Sequence, residues 1–210
     1  MRWDEVASVA PGRGEALVRQ TAVGLNFIDI YERTGLYGGP LPTGLGREAA
    51  GVVEAVGPGV RDIKAGDRVA YASPAPGAYA DERVMPVGNL VPVPEGVSDR
   101  LAAAALLKGM TAQVLLRRTY KVRKGTVVVV HAAAGGVGSI LVQWALHLGA
   151  QVIAVVGSDA KATTVRAMGC KDVLIQGRDD LAARVRELTG GQGAHVVYDS
   201  VGKDTFFASL

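Results

Sequence analysis

The sequence predicts an α/β protein in which a β-rich part is followed by a parallel sheet with helices. Two observations support this prediction. Up to about residue 95, the chain is rich in valine, glycine and proline, and short strand-like runs alternate with turn signals. From Thr126 onward, strand-like segments alternate with helix-like segments, which is typical of a parallel sheet with right-handed crossovers.

The β-rich part is recognised by its closely spaced turns. Strand-like runs occur at Ala16–Arg19 and Gly51–Val56. Turn sequences follow at Gly57–Gly59, Lys64–Asp67 and Ser73–Gly77. Short runs interrupted at such intervals predict a small β barrel or sandwich.

A helix is predicted to connect the two parts. Pro92 and Pro94 end the β-rich region, and the helix body extends from Leu101 to Arg117. Either Ser98 or Asp99 can cap its N-terminus, because both side chains can accept a hydrogen bond from the first helical turn. We therefore assign the domains as 1–100 for the first domain, 101–125 for the connecting helix and linker, and 126–210 for the second domain.

The second part contains four predicted strands. The first is 127–131, because four consecutive valines suit a strand that is buried on both faces. The other strands are 151–156, 172–175 and 194–199, and the helices are the segment after Gly138, 159–168 and 180–188. A complete doubly wound domain usually has about six strands, so these segments predict an incomplete one.

The first strand runs into its helix through a glycine turn with the pattern A-x-G-x-x-G. At such a junction, unpaired N–H groups and the positive end of the helix dipole face a pyrophosphate. Gly135 lets the backbone approach the phosphates, and Gly138 lets the helix pack closely on the strand. Ala133 replaces the usual first glycine, so we expect a slightly more open turn. The predicted dinucleotide contacts are Ala133, Gly135, Gly136, Val137 and Gly138.

Composition excludes several other protein classes. The net charge is +3, and the basic residues are spread between acids, so no nucleic-acid surface is indicated. A single cysteine, Cys170, cannot form an internal disulfide, and we expect it to be a buried structural thiol. The chain has no run of 18 apolar residues and no secretion signal at its start, so we expect no membrane span and a cytoplasmic location.

Five stretches of the chain resemble a known family when they are taken in order. They are Gly24–Asp29, Gly35–Tyr37, Gly66–Val69, Leu107–Thr111 and His131–Gly138. Across essentially its whole length, the chain is similar to the zinc-independent, ζ-crystallin-like quinone oxidoreductases of the medium-chain dehydrogenase/reductase superfamily. The resemblance implies a GroES-like β-barrel domain followed by an incomplete Rossmann domain.

The same resemblance implies that the chain is truncated at both ends, mainly at the C-terminal end. Relatives continue through the rest of the Rossmann sheet, so we expect an exposed edge strand near 196–199. Relatives also commonly form homodimers, and we expect a homodimer only if the missing segments were present.

The resemblance further implies a site without metal. Zinc-dependent relatives carry a cysteine at the position of Asn26 and a histidine at the position of Arg47. Arginine cannot donate a lone pair to a metal, and a lone asparagine carbonyl is a poor zinc ligand. Without a Lewis acid, an alcohol dehydrogenase activity is disfavoured.

The expected activity is NADPH-dependent hydride transfer to a quinone or a similar conjugated carbonyl. Two alternatives stay open at this point. One is reduction of an alkenal or enone double bond on the same scaffold. The other is a catalytically silent fragment with only a binding or structural role.

Residue roles also follow from the resemblance. Asn26 and Asp29, together with the cofactor-binding Tyr31, would line the nicotinamide end. Tyr37 would line the substrate pocket, and the Thr111 hydroxyl would meet the cofactor. Each has a structural alternative: an Asx turn for Asn26 and Asp29, half-buried aromatic packing for the tyrosines, and a helix-facing threonine for Thr111.

The end of the second strand of the parallel sheet indicates which dinucleotide is bound. An NAD enzyme normally carries an acid there for the ribose hydroxyls, but this chain has Gly157. Ser158 and Lys161 match family positions that bind the 2′-phosphate, so NADPH is the expected cofactor. The alternatives are that Lys161 is merely solvated and that Asp159, which lies between them, caps the helix. Gln176 also replaces a tyrosine that some relatives place near the adenosine.

Overall fold

The computed structural model describes all 210 residues, Met1 to Leu210. The chain divides into two compact units, Met1–Leu107 and Lys108–Leu210. Each unit has a sheet of its own. None of the helices combines the length and the apolar composition needed to cross a bilayer.

The first unit is built on a five-stranded antiparallel sheet. Its strands are β1 (Glu15–Gly24), β2 (Glu48–Val56), β3 (Arg68–Ala72), β4 (Glu82–Pro86) and β5 (Val91–Pro92), in the order β4-β1-β2-β3-β5. Ala16 and Val18 are alternate residues of β1 whose side chains point into the core of the unit. They pack there with Val53, Val69 and Tyr71. The two predicted runs lie within β1 and β2, and both strands are longer than predicted.

Two helices begin in this unit, and the second continues beyond the end of the unit at Leu107. They are α1 (Phe27–Thr34) and α2 (Asp99–Val114); α2 continues into a π-helical turn, Leu115–Thr119, and a 3₁₀ turn spans Val87–Asn89. Ser98 caps α2, since its Oγ accepts a hydrogen bond from the N–H of Leu101 at 3.2 Å. Asp99 instead accepts hydrogen bonds from Thr21 and Arg68, which lower the pKa of its carboxyl. The start of α2 is therefore tied to strands β1 and β3.

The second unit contains a four-stranded parallel sheet. Its strands are β6 (Val127–Val130), β7 (Gln151–Val156), β8 (Asp172–Ile175) and β9 (Val196–Tyr198), in the order β8-β7-β6-β9. The helices are α3 (Gly136–His147), α4 (Asp159–Ala167), α5 (Leu181–Leu188) and α6 (Phe206–Ser209). All four predicted strands are confirmed, and β9 is an edge strand, as expected. The short helix α6 is not predicted from the sequence.

Both faces of this sheet are covered. Val128 and Val130 pack in one apolar cluster with residues of α3 and α4, while Val127 and Val129 pack in another with residues of α5. Successive side chains of a strand point to opposite faces, so the four valines need apolar partners on both sides. Cys170 is buried in the first cluster, as predicted, and burial raises the pKa of its thiol.

Candidate functional site

The glycine turn lies at the carboxyl end of β6. Ala132 adopts a left-handed backbone conformation with φ 48°, and its carbonyl accepts a hydrogen bond from the N–H of Gly135 at 2.8 Å. Ala133 is completely buried, and its N–H donates to the carbonyl of Val155 in β7 at 3.1 Å. The turn is thereby fixed to the neighbouring strand before α3 begins.

Gly138 allows α3 to pack against this turn. A Cβ at this position would lie 2.3 Å from the carbonyl oxygen of Ala132 and 2.8 Å from the Cα of Ala133, closer than real Cβ atoms approach. This is the close helix packing that the sequence predicts for Gly138. Any larger residue would push the start of α3 away from the turn.

The same turn leaves backbone donors available. The N–H groups of Gly136, Val137 and Gly138 belong to the first turn of α3, where no earlier helical carbonyl can accept them. Gly135 and Gly136 are exposed, and the aliphatic part of the Lys108 side chain passes beside Gly136, where a Cβ would lie 2.9 Å from its Cδ. Such donors at the positive end of a helix dipole bind anions. The turn therefore fits the pyrophosphate of a dinucleotide.

The two residues predicted to bind a 2′-phosphate lie together in the first turn of α4. Ser158 is the N-cap, and its Oγ accepts a hydrogen bond from the backbone N–H of Lys161 at 3.4 Å. The side chain of Lys161 is exposed. The alternative that Asp159 caps this helix is wrong, because Asp159 is the first helical residue and pairs with Arg178 at 3.1 and 3.2 Å.

In the first unit, Asn26 is held by a buried carboxylate. Asn26 directly precedes α1, and its Nδ2 donates to Oε2 of Glu48 at 2.9 Å. Glu48 is completely buried, and its Oε1 accepts the N–H of Leu107 at 2.7 Å. Gly24 makes room for this arrangement, since a Cβ there would lie 2.5 Å from Oε2 of Glu48. The Asn26 carboxamide is thus oriented by contacts from distant parts of the chain.

Asp29 is also buried, at 3% exposure. Its Oδ2 accepts hydrogen bonds from the N–H of Asn26 at 2.8 Å and from the Tyr79 hydroxyl at 2.9 Å. Its Oδ1 has no hydrogen-bond partner. Burial and the nearby Asp29 carboxylate raise the pKa of Tyr79 to about 12. Asp29 therefore holds the N-terminus of α1, which agrees with its structural alternative, and a contact with nicotinamide stays a prediction.

Aromatic rings form an exposed surface along α1 and the turn that follows it. The rings of Tyr31 and Tyr37 lie 5.3 Å apart between centroids, and the N–H of Tyr37 donates to the carbonyl of Tyr31. Phe27 lies 6.1 Å from Tyr31. Tyr37 is 54% exposed, so its ring is accessible to a planar ligand. The structure thus brings the two predicted tyrosines together.

The Arg47 side chain is occupied by an acidic partner. Its Nε donates to Oε1 of Glu32 at 3.0 Å, and its Nη2 contacts the same oxygen. Both side chains are largely buried. The position that carries a zinc-ligating histidine in zinc-dependent relatives therefore holds a guanidinium paired with a carboxylate of α1.

A further polar cluster lies at the carboxyl edge of the parallel sheet. His131 is buried, and its Nε2 is 3.1 Å from Oγ of Ser209. Ser209 and Thr205 both donate to Oδ2 of Asp199. Burial lowers the pKa of His131, which favours the neutral imidazole at physiological pH. These contacts are those of a hydrogen-bonded framework residue.

Sequence reasoning missed several polar residues that shape these regions. Glu48 had one signal, because it follows Arg47 in the motif that relatives use for zinc. No sequence signal marks Tyr79, Glu32 or Arg178, because each contacts its hydrogen-bond partner only in the folded chain. Thr111 lies half-buried in α2, and its predicted contact with a cofactor stays a prediction.

Two family models match the chain. Residues 12–95 match the alcohol dehydrogenase GroES-like domain, and residues 136–210 match the zinc-binding dehydrogenase model. The two matches correspond to the β-rich part and to most of the parallel-sheet part. They confirm the predicted fold class.

Individual relatives are similar over nearly the whole chain. A quinone oxidoreductase of Pseudomonas aeruginosa is 51% identical over 100% of this chain and 65% of its own length. A 2-haloacrylate reductase of a Burkholderia species is 49% identical over 99% of this chain and 64% of its own length. The crystal structure of Escherichia coli quinone oxidoreductase complexed with NADPH matches with a TM-score of 0.95 at 46% identity, over 98% of this chain and 64% of that one. The chain thus spans about two thirds of the length of these relatives, and it belongs to the quinone oxidoreductase family of the medium-chain dehydrogenase/reductase superfamily.

Proposed function

We propose that this chain provides the cofactor-binding turn and part of the substrate site of an NADPH-dependent quinone reductase that works without zinc. The glycine turn is the observation that carries the proposal. Its three first-turn N–H groups, its exposed glycines and its hydrogen bond to β7 fit a pyrophosphate. The matching E. coli relative was solved with NADPH, which supports the same cofactor for this chain.

The preference for NADPH is assigned to Ser158 and Lys161. Both lie in the first turn of α4, at the carboxyl end of β7, where a helix N-terminus favours an anion. Gly157 occupies the place of the acid that an NAD enzyme uses. A 2′-phosphate at this turn would gain a charged contact with Lys161.

The reaction is assigned to direct hydride transfer. When bound, the reduced nicotinamide supplies a hydride, and a quinone that takes up this hydride and a solvent proton becomes a hydroquinone while NADP⁺ is formed. Asn26 and Arg47 give no thiolate or imidazole to a zinc ion, and both side chains are bound to carboxylates. The protein's task is then to hold donor and acceptor close together in the right orientation.

The exposed Tyr37 is assigned to the acceptor ring, and the half-buried Tyr31 is assigned to the cofactor ring. Tyr37 would line the pocket of the acceptor, and Tyr31, whose ring lies 5.3 Å from that of Tyr37, would line the nicotinamide end. Asn26, fixed by Glu48, presents its carboxamide at the start of α1. Asp29 keeps this helix start in place, and Thr111 contacts the cofactor from α2.

Reduction of an activated carbon–carbon double bond is the second candidate function. The observation that favours it is the 49% identity to a protein named 2-haloacrylate reductase, since an acrylate carries a conjugated double bond. The same hydride donor and the same site would serve both reactions. The two candidates differ only in the acceptor.

Turnover of two acceptors by the 210-residue chain tests the proposal. NADPH oxidation is followed by its absorbance with a benzoquinone and with an α,β-unsaturated ketone. We expect faster oxidation with the benzoquinone. A strong preference for the ketone would favour the second candidate, and no turnover with either acceptor would contradict reductase activity for this chain.

The phosphate assignment is tested with Lys161→Ala. We expect NADPH binding to weaken by roughly 10- to 150-fold while NADH binding changes little, because only NADPH carries the 2′-phosphate. Lys171→Ala is the matched control, as it removes an exposed lysine outside α4. Equal weakening for both cofactors would overturn the assignment.

A further inference from the structure

Asp159 lies in sequence between the proposed phosphate-binding residues Ser158 and Lys161, and its carboxylate is held by Arg178 from the loop after β8. Both terminal nitrogens of the Arg178 guanidinium contact Asp159, with Nη1 3.2 Å from Oδ2 and Nη2 3.1 Å from Oδ1. This is a bidentate arrangement, in which a planar guanidinium matches a carboxylate. The pair is exposed, at 60% for Arg178 and 78% for Asp159.

The fold places this pair beside the N-terminus of α4. β7 and β8 are parallel neighbours, so their carboxyl ends and the loops that follow lie at the same edge of the sheet. The N–H of Gln176 donates to the carbonyl of Val156, and the N–H of Arg178 donates to the carbonyl of Ile175. The turn that carries Arg178 is thereby fixed to the end of β8 and to the end of β7.

Asp159 would otherwise oppose the proposed cofactor. It is the first residue of α4 and lies between Ser158 and Lys161 in the sequence. An unpaired carboxylate there would repel a 2′-phosphate, and it could accept hydrogen bonds from ribose hydroxyls in the way that the acid of an NAD enzyme does.

Two other acids in this loop are bound to backbone donors. Asp179 accepts the N–H of Ile175 at 2.6 Å, and Asp180 accepts the N–H of Ala183 at 3.1 Å as the N-cap of α5. Asp159 differs from them because a cationic side chain holds it. The state of this carboxylate therefore depends on Arg178.

We propose that Arg178 is a positioning residue for cofactor choice, which holds the Asp159 carboxylate and neutralises it so that the start of α4 accepts the 2′-phosphate of NADPH. The inference rests on the proposed function. Without Arg178, the same turn would favour NADH more, because a free carboxylate repels the phosphate and is available to the ribose.

Cofactor titration with substituted chains tests the proposal. Dissociation constants for NADPH and NADH are measured by fluorescence for the unsubstituted chain, Arg178→Ala, Asp159→Asn combined with Arg178→Ala, and Arg184→Ala. We expect Arg178→Ala to lower the preference for NADPH by about fivefold or more, and the added Asp159→Asn to restore it to within about twofold. Arg184→Ala is the matched control, because it breaks an exposed ion pair with Glu187 within α5.

Three results would overturn the inference. An unchanged preference in Arg178→Ala would show that Arg178 does not influence cofactor choice. A lowered preference that Asp159→Asn does not restore would show that Arg178 does not act through Asp159. If the unsubstituted chain bound neither cofactor, the proposed function would fail together with this inference, whereas the first two results leave the proposed function standing.

Discussion

The glycine turn of the second unit and the Asn26–Glu48 network of the first unit are sensitive to opposite changes. The turn requires a residue without a side chain at position 138, because there is no room for a Cβ between Gly138 and the backbone of Ala132 and Ala133. The network depends on atoms that are present, because buried Glu48 accepts hydrogen bonds from Asn26 and from Leu107. Adding a methyl group should therefore disrupt the turn, and removing a carboxylate should disrupt the network.

The largest expected effect comes from removing the buried carboxylate. Glu48→Ala leaves the Asn26 carboxamide and the Leu107 N–H without this acceptor and should lower the free energy of unfolding by roughly 3 kcal/mol or more. Urea denaturation measures the loss. Glu54→Ala, near the other end of β2, is the control and should change stability by about 0.5 kcal/mol or less. Equal losses for the two variants would contradict the network.

The next effect comes from adding one methyl group to the turn. Gly138→Ala places a Cβ against backbone atoms that cannot move freely, so we expect a loss of about 2 kcal/mol in urea denaturation and weaker NADPH binding. Gly109→Ala in α2 is the control, because a Cβ there meets nothing within 4 Å. It should stabilise the helix by up to about 1 kcal/mol. A neutral Gly138→Ala would show that the turn can shift without cost.

The smallest effect concerns one hydrogen bond of the first unit. Tyr79→Phe removes the donor to Oδ2 of Asp29, which keeps its bond from Asn26, so we expect a loss of about 1 kcal/mol at neutral pH. Tyr37→Phe, which alters an exposed ring, should change stability by less than about 0.5 kcal/mol.

The Tyr79 hydroxyl also gives the unsubstituted chain a pH dependence of stability that Tyr79→Phe should lack. The pKa of Tyr79 is raised from 10.0 to about 12, so the folded protein keeps this proton at a pH where the unfolded chain loses it. The resulting stabilisation is complete below about pH 10 and is lost as the pH rises to about 12. Urea midpoints of the unsubstituted chain should fall more steeply over this interval than those of Tyr79→Phe. Parallel profiles would contradict the raised pKa.

The two regions also differ in how far the sequence predicts them. The turn is formed by residues close together in the chain, so the close packing at Gly138 could be predicted from the spacing alone, while the phosphate contact of Gly135 stays a prediction. The left-handed residue, however, is Ala132 rather than a glycine. The network joins Glu48 to residues 22 and 59 positions away, and only the fold brings them together.

The elements of the fold also differ in the strength of their local sequence signal. The strands of the parallel sheet were predicted nearly to the residue, because buried β-branched runs such as Val127–Val130 have a strong local signal. β1 extends to Gly24, beyond the predicted run. The polar residues Gln20 and Thr21 interrupt the apolar pattern there, and the strand continues because Gln20, Ala22, Val23 and Gly24 pair with β2. The four-residue helix α6 is too short to give a periodic signal.

Titration of the 210-residue chain with NADPH, followed by cofactor fluorescence, tests the central claim most directly. The available N–H groups at the start of α3 and the cationic side chain of Lys161 predict saturable binding, with NADPH bound more tightly than NADH. The absence of saturable binding up to millimolar NADPH would contradict the claim that this turn holds a dinucleotide.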